Sequence, residues 1–304
     1  MTTKETTRMA HESAGIHLRT TPLHFRRILF TTDFSSHALL AFKFAAQLSK
    51  HFGSKLYMMH VISSMFNATG RGVITPLLRE VEVKHAQEEL SHYFARTYGS
   101  ESIEREEIIV SGIPKDLIPK IAVEKQIDLV VMGSHGRGGI GKLALGSVAE
   151  WALRHLHCPV LVCGPHCKRS YHGPGSIMLA TNLSFGALRP AQYASAMADE
   201  FHAQLTVVHI AANGEIDLQR RRALKAIDEL IPATPELRKR ARYSIRSGNP
   251  SSELLRVARP QKVNLIVIGV EERGTMADHA PWATISKVIR EASCPVLAVQ
   301  SHIA

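Results

Sequence analysis

Short, continuously apolar runs recur along the chain and alternate with longer segments of helical periodicity. In the first half these runs are Ile28 to Thr31, Leu56 to Ile62, Glu107 to Val110, Leu129 to Met132 and Val160 to Val162. Continuous apolar strands that alternate with helices are typical of a parallel sheet covered on both faces. With right-handed crossovers, the pattern predicts an α/β fold built on an open, doubly wound, five-stranded parallel sheet.

The pattern occurs twice, and an internal repeat decides the architecture of a chain. The matching pairs are Ile28 to Ser35 with Met178 to Ser184, His60 with His209, Ser111 to Pro114 with Ser247 to Pro250, and Cys158 to Leu161 with Cys294 to Leu297. We therefore predict two tandem copies of one domain, each of an ordinary size that can bury its own core.

The repeat also predicts where the domains begin and end. We expect a flexible N-terminal extension over residues 1–24, a first domain over 25–165, a linker over 166–175 and a second domain over 176–301.

Glycines follow the fourth apolar run of the first copy at a distinctive spacing. Gly133, Gly136, Gly146 and Ser147 form the pattern Gly-x2-Gly-x9-Gly-Ser, and an amphipathic segment opens at Ser147 and Val148. Because glycine has no Cβ, backbone N–H groups can close on an anion there. A helix N-terminus adds positive charge at the same place. The spacing predicts a phosphate-binding loop between a strand and a helix.

Two other interpretations of this segment stay open. The stretch from Gly136 to Lys142 matches the G-x4-G-K part of a P-loop, but Leu143 stands where a hydroxyl should hold magnesium. In addition, Gly146 interrupts the chain before the helix begins. The remaining interpretation is a glycine-rich surface turn without a ligand.

Together, the glycine spacing, the strand before it and the helix after it resemble the nucleotide-binding signature of the universal stress protein family. The resemblance extends over both copies and implies tandem Rossmann-like domains, in which ligands bind at the switch point of the strand order. It implies that Asp33 and Val61 lie near the ribose and adenine of ATP, and that the loop holds the phosphates. Any Mg²⁺ would be bound through those phosphates. The expected cofactor-binding residues are Thr32, Asp33, Val61, Met132, Gly133, His135, Gly136, Arg137, Gly146, Ser147 and Val148.

The second copy departs from this motif. A carboxylate in place of a loop glycine would repel phosphate, and a tryptophan would fill the space that a glycine leaves open. We therefore expect the second copy to bind no nucleotide and to serve as a structural or regulatory partner, in an intramolecular pseudo-dimer or a homodimer. The replacements are Asn182 for Asp33, Glu272 for Gly136, Trp282 for Gly146 and Ala283 for Ser147, whereas Gly269 matches Gly133.

The chain is basic, with 37 Lys and Arg against 27 Asp and Glu and a formal net charge of +10. This charge favours anionic ligands, but without a nucleic-acid-binding signature we expect no specific nucleic-acid partner. No apolar segment approaches the ~20 residues of a membrane span, and the first residues lack the apolar core of a signal peptide. We expect no membrane partner and a cytoplasmic location.

Four cysteines are too few for a disulfide scaffold. Cys163, His166, Cys167 and His172 lie close together in the predicted linker. A zinc site is one interpretation, although Cys-x3-Cys with nearby histidines matches zinc spacings only loosely. Whether these residues bind a metal stays open.

We predict an ATP-binding protein that acts as a nucleotide-dependent stress-response regulator or interaction module. Phosphoryl transfer needs a held metal, a positioned nucleophile and positive charge on the transferred group. No acidic metal pair follows the glycine loop, so we expect no catalytic residue. The alternatives are a slow ATP-hydrolysing enzyme and a nucleotide-free scaffold of the same fold.

Overall fold

The computed structural model describes residues 23–63, 76–98, 103–135, 145–167, 173–211, 217–231, 234–270 and 279–301. Among the residues named in the sequence analysis, Gly136, Arg137, Lys142, Leu143, His172 and Glu272 lie outside these ranges.

The first copy alternates strands and helices as its hydrophobic pattern predicts. Each predicted strand lies within an observed one. The elements are β1 (Arg27–Thr32), α1 (Ser36–Phe52), β2 (Lys55–Ser63), α2 (Pro76–Tyr98), β3 (Arg105–Gly112), α3 (Pro114–Glu124), β4 (Leu129–Gly133), α4 (Ser147–His155) and β5 (Val160–Cys163).

The second copy repeats this order, with two helices between its second and third strands. Its elements are β6 (Ser176–Thr181), α5 (Leu188–Glu200), β7 (Gln204–Ala211), α6 (Asp217–Leu230), α7 (Pro235–Arg240), β8 (Ala241–Ser247), α8 (Pro250–Ala258), β9 (Leu265–Val270), α9 (His279–Glu291) and β10 (Val296–Gln300).

In the described residues the strands form one ten-stranded sheet in the order β3-β2-β1-β4-β5-β10-β9-β6-β7-β8. Within each copy all neighbouring strands are parallel, whereas β5 and β10 pair antiparallel. The prediction of two tandem, doubly wound, five-stranded parallel sheets is confirmed. The two copies join edge to edge, so each covers an edge strand that the other would leave unpaired.

Each face of the sheet carries its own hydrophobic cluster. Along β1, Phe30 faces one cluster and Leu29 the other, because successive side chains on a strand point to opposite faces. Phe42 of α1 packs on the first face and Leu153 of α4 on the second. Both clusters contain residues from both copies, so the core is continuous across the junction between them.

Helices also bridge the junction on both faces of the sheet. On one face, His51 of α1 hydrogen-bonds the carboxylate of Glu200 of α5 at 2.7 Å. On the other, the Arg154 guanidinium of α4 lies 3.8 Å from the ring centroid of Trp282 of α9. A cation over a tryptophan face is a favourable contact. Side chains as well as strands therefore hold the copies together.

Among the described residues, no helix combines the length and the apolar character needed to cross a bilayer.

Candidate functional site

The strand order reverses beside β1, which lies between β2 and β4. Ligands of open α/β sheets bind at such a switch point, beyond the carboxyl ends of the strands. Thr32 ends β1 and Asp33 follows it, Gly133 ends β4, and Val61 lies one residue beyond the β2 residue that pairs with Thr32. The structure therefore brings these predicted residues to one edge of the sheet. Met132 lies there too, but its side chain is buried in the core, so only its backbone faces the crevice.

The turn that leaves β1 is fixed by hydrogen bonds from its own backbone. Phe34 N–H donates to the Thr32 hydroxyl at 2.9 Å, and Ser35 N–H donates to Asp33 Oδ1 at 3.1 Å. The Ser35 hydroxyl then caps α1 by accepting from Ala38 N–H at 3.2 Å. Asp33 is therefore not the helix cap; it organises the turn and presents a half-buried carboxylate at the crevice.

Phe34 sits in this turn with a left-handed backbone, at φ 63°. Non-glycine residues held in this region cost of order 1–3 kcal/mol and cluster at ligand sites. Leu183 occupies the matching position of the second copy at φ 59°. Both copies retain the same strained turn.

His60, at the carboxyl end of β2, is a crevice residue that our sequence analysis did not select. Its Nδ1 lies 2.9 Å from the Thr32 carbonyl oxygen, and its ring centroid lies 4.3 Å from that of Phe34. The repeat could have identified His60, because a histidine recurs at the matching position as His209. Nδ1 of His209 likewise lies 3.0 Å from the carbonyl oxygen of Thr181.

Two glycines let α1 and α4 approach the end of β4 closely. A Cβ on Gly133 would lie 3.0 Å from Ala38 N, and a Cβ on Gly146 would lie 2.9 Å from the Ser134 carbonyl oxygen. Gly146 N–H donates to that same oxygen at 2.8 Å and immediately precedes α4. These contacts explain the glycines at both positions, because any side chain would push the elements apart.

The close approach places the first turn of α4 at the crevice. Ser147 is exposed and Val148 half-buried, and the N–H groups of a first helical turn have no partner within the helix. These groups and the helix dipole favour an anion. The structure thus positions Gly146, Ser147 and Val148 together at the end of β4, as the anion-binding hypothesis requires.

His135 follows β4 and is tied to its neighbours. Its Nδ1 lies 2.8 Å from the hydroxyl of buried Ser134, and its carbonyl accepts from the Ser35 hydroxyl at 3.4 Å. The His37 ring, on the first turn of α1, lies 5.7 Å from the His135 ring. The sequence predicted His135 as a site residue but neither its neighbour Ser134 nor His37, and His37 comes close to His135 only in the folded chain.

Clear pKa shifts in the described residues have structural causes away from this crevice. Burial raises the pKa of the Cys158 thiol to about 11. Hydrogen bonds from Lys125 and Lys55 lower the pKa of Glu106, at the opposite end of the sheet. These shifts indicate packing and ion pairing rather than a catalytic base.

The two cysteines near the predicted linker pack inside the protein. Cys163, which ends β5, and Cys167 are buried and form no disulfide, and burial raises the pKa of the Cys163 thiol well above its ordinary value. A buried thiol of this kind behaves as a small hydrophobe. Within the described ranges, no group of three or more metal-ligating side chains is present.

At the matching edge of the second copy, Trp282 stands in place of Gly146. A cavity of about 520 Å³ lies beyond β6 and β9, and Trp282 is not among the residues that line it. The indole packs under Arg154 of the first copy, as described above. In the part of the chain that the structure describes, the second crevice differs from the first in its lining side chains and retains a cavity.

Comparison with known proteins agrees with this architecture. The model of the universal stress protein family matches the chain twice, over residues 24–164 and 175–300. A universal stress protein from Methanocaldococcus jannaschii is 32% identical over 141 residues, covering 45% of this chain and 81% of that protein. One from Thermus aquaticus is 29% identical over 139 residues, covering 45% of this chain and 98% of that protein.

The similarity of fold spans both copies. The crystal structure of a universal stress protein from Archaeoglobus fulgidus matches with a TM-score of 0.69 at 22% identity, covering 90% of this chain and 96% of that one. The double match of the family model, together with this shared architecture, shows that the chain belongs to the universal stress protein family.

Proposed function

We propose that the first copy binds ATP at the crevice between β1 and β4, and that the chain acts as a nucleotide-dependent regulator or interaction module in a stress response. The observation that carries the proposal is the close approach of α4 to β4 at Gly146. It sets the free N–H groups of a helix N-terminus beside the end of a parallel strand at the switch point.

The crevice offers different chemistry at its two ends. Phosphates fit the α4 end, where Gly133 and Gly146 let α1 and α4 approach the end of β4 closely, so that backbone N–H groups can bind an anion there. The nucleoside must then lie toward β1 and β2, where the Asp33 carboxylate can accept hydrogen bonds from hydroxyl groups and Val61 offers an apolar contact. Gly136 and Arg137 belong to the proposed phosphate loop. A Mg²⁺ ion would be bound through the phosphates.

Binding without efficient turnover is the activity that this site supports. ATP hydrolysis needs a positioned water and stabilised transition-state charge, and the described crevice residues contribute a turn, a helix terminus and histidines held by neighbouring polar groups. A cytoplasmic location and homodimerisation stay predictions, as does the division into domains at 25–165 and 176–301.

Titration calorimetry of the full chain with ATP tests the proposal. We expect one ATP per chain, because the glycine contacts of Gly146 are absent at Trp282 of the second copy. Two equivalent sites per chain would contradict the asymmetry between the copies. An absence of binding would favour the nucleotide-free scaffold, and steady phosphate release from bound ATP would favour the slow hydrolase.

A further inference from the structure

The cavity of the second copy lies where the nucleotide crevice lies in the first, at the carboxyl ends of β6, β7 and β9. Its volume, about 520 Å³, is within the range of sites for small molecules. Its walls are mainly apolar and include residues of six labelled elements, namely β6, α5, β7, α8, β9 and α9. The apolar lining residues include Ala180, Val208, Ile210, Leu254, Ile268 and Ile285.

The β6 side of this cavity preserves the hydrogen bonds of the first copy. Ser184 N–H donates to Asn182 Oδ1 at 3.1 Å, as Ser35 N–H does to Asp33 Oδ1 at 3.1 Å. His209 Nδ1 contacts the carbonyl at the end of β6, as His60 does at the end of β1. The half of the crevice formed by the first two strands is therefore retained.

In the described residues, the other half lacks the glycine that lets the helix approach the strand end in the first copy. Trp282 and Ala283 stand in place of Gly146 and Ser147, and the indole stacks on Arg154. Among the described lining residues, the sole charged side chain is Lys287, whose ammonium donates to the Ser252 hydroxyl at 3.2 Å. A phosphate moved from water to these apolar walls would lose hydration without gaining a cradle of N–H groups.

We propose that this cavity binds an uncharged, nucleoside-like molecule: a flat heteroaromatic base with hydroxyl groups and no phosphate. The apolar walls suit the faces of the base. The amide of Asn182 and the hydroxyl of Ser184 line the cavity at the retained turn and suit the hydroxyl groups, since an amide both donates and accepts. The nucleoside-like shape rests on the proposed function, because the retained half is the one that faces the nucleoside in the first copy.

The chain supplies a matched pair of variants for testing this. Ile210 follows His209 in β7 as Val61 follows His60 in β2, and both side chains are half-buried. Ile210→Trp fills the second cavity, whereas Val61→Trp blocks the first crevice. Adenosine is the probe, titrated into the full chain at saturating ATP so that the first crevice is occupied.

We expect one adenosine per chain under these conditions. Ile210→Trp should reduce the adenosine affinity at least about tenfold. Val61→Trp, which blocks the first crevice, should leave the adenosine affinity of the second cavity unchanged. Equal adenosine affinity in wild type and Ile210→Trp would overturn the inference. So would a second ATP site that Ile210→Trp removes, because the cavity would then accept phosphates. Ile210→Phe is the second variant if the melting temperature of Ile210→Trp falls.

The two proposals fail separately in this experiment. If wild type binds no ATP, the proposed function fails, and adenosine titrated alone into the same two variants still tests the cavity. If ATP binds once per chain but no adenosine site depends on Ile210, only the cavity inference fails.

Discussion

The two copies share the turn after their first strand and differ in how the fourth-strand helix begins. In both copies the left-handed residue and the side-chain oxygen that accepts from the backbone are present, at Phe34 and Asp33 in one and at Leu183 and Asn182 in the other. At the helix, Gly146 packs against the backbone of β4, whereas Trp282 packs against Arg154 of the opposite copy. The turn after the first strand is present in both copies, and the close approach of a glycine to the end of the fourth strand is present in the first.

This difference also ties the second copy to the first. The residue that replaces the crevice glycine contributes to the junction between the copies, because Trp282 packs beneath the Arg154 guanidinium. The glycine contact of the first copy and the inter-copy contact of the second occur at the same position of the repeat. The second copy thus combines a mainly apolar cavity, with Lys287 as the sole charged side chain among its described lining residues, with a contact that holds the pair together.

The largest effect is expected where the copies meet. A Cβ on Gly164, just after β5, would overlap the carbonyl oxygen of Ile289 in α9. Gly164→Ala should therefore lower the free energy of unfolding by about 3 kcal/mol, at the upper end of typical overpacking costs. Chemical denaturation measures this. Gly175→Ala is the matched control, since its Cβ would meet only the Asn264 side chain, at an ordinary 3.7 Å. Equal denaturation midpoints for the two variants would show that the junction between the copies accommodates the added methyl group without loss of stability.

The hydrophobic pattern was sufficient to predict the sheet, because every strand of a parallel sheet buries both faces and reads as a continuous apolar run. The repeat and the glycine spacing identified Gly133 and Gly146 at the crevice. Contacts between distant segments were not predictable. The overlap at Gly164 depends on the antiparallel pairing of β5 with β10, and the direction of the Trp282 side chain depends on where α4 of the other copy lies.

The next largest effect concerns the helix approach itself. Gly146→Ala should reduce ATP affinity about a hundredfold, or about 2.7 kcal/mol, because the added Cβ would lie 2.9 Å from the Ser134 oxygen and push α4 away from β4. Calorimetric titration measures the affinity, again with Gly175→Ala as the control. Unchanged affinity would mean that the α4 terminus does not hold the phosphates. Because the added Cβ would clash with backbone atoms, Gly146→Ala should also lose some stability, even though the second copy accepts a tryptophan at the matching position.

A smaller effect is expected at the shared turn, where ligand recognition and stability separate. Asp33→Asn should weaken ATP binding by about 1–3 kcal/mol if the carboxylate accepts hydrogen bonds from the ligand. The melting temperature of the ligand-free chain should barely change, because Asn182 makes the same contact with Ser184 in the second copy. Asn182→Asp is the reciprocal control and should leave ATP affinity unaltered. An Asp33→Asn variant with wild-type affinity would remove Asp33 from the site.

The smallest effect is a pH dependence confined to the first copy. Glu106 of β3 lies 2.8 Å from the Lys125 ammonium and 3.0 Å from that of Lys55, whereas Arg242 occupies the matching register position in the second copy. The hydrogen bond from Lys125, and to a smaller extent that from Lys55, lowers the pKa of Glu106 below its ordinary 4.5. A lowered folded-state pKa contributes stability above pH 4.5 that is lost as the pH falls through the folded value.

Glu106→Gln should therefore be slightly less stable than wild type at pH 7. The difference in stability should shrink below pH 4.5 and in high salt, because these charged groups are partly exposed. Denaturation midpoints at pH 7 and near pH 3 measure it, with Arg242→Gln as the control that carries no such carboxylate. A difference from wild type that is the same at both pH values would show that Glu106 contributes through packing rather than through its charge.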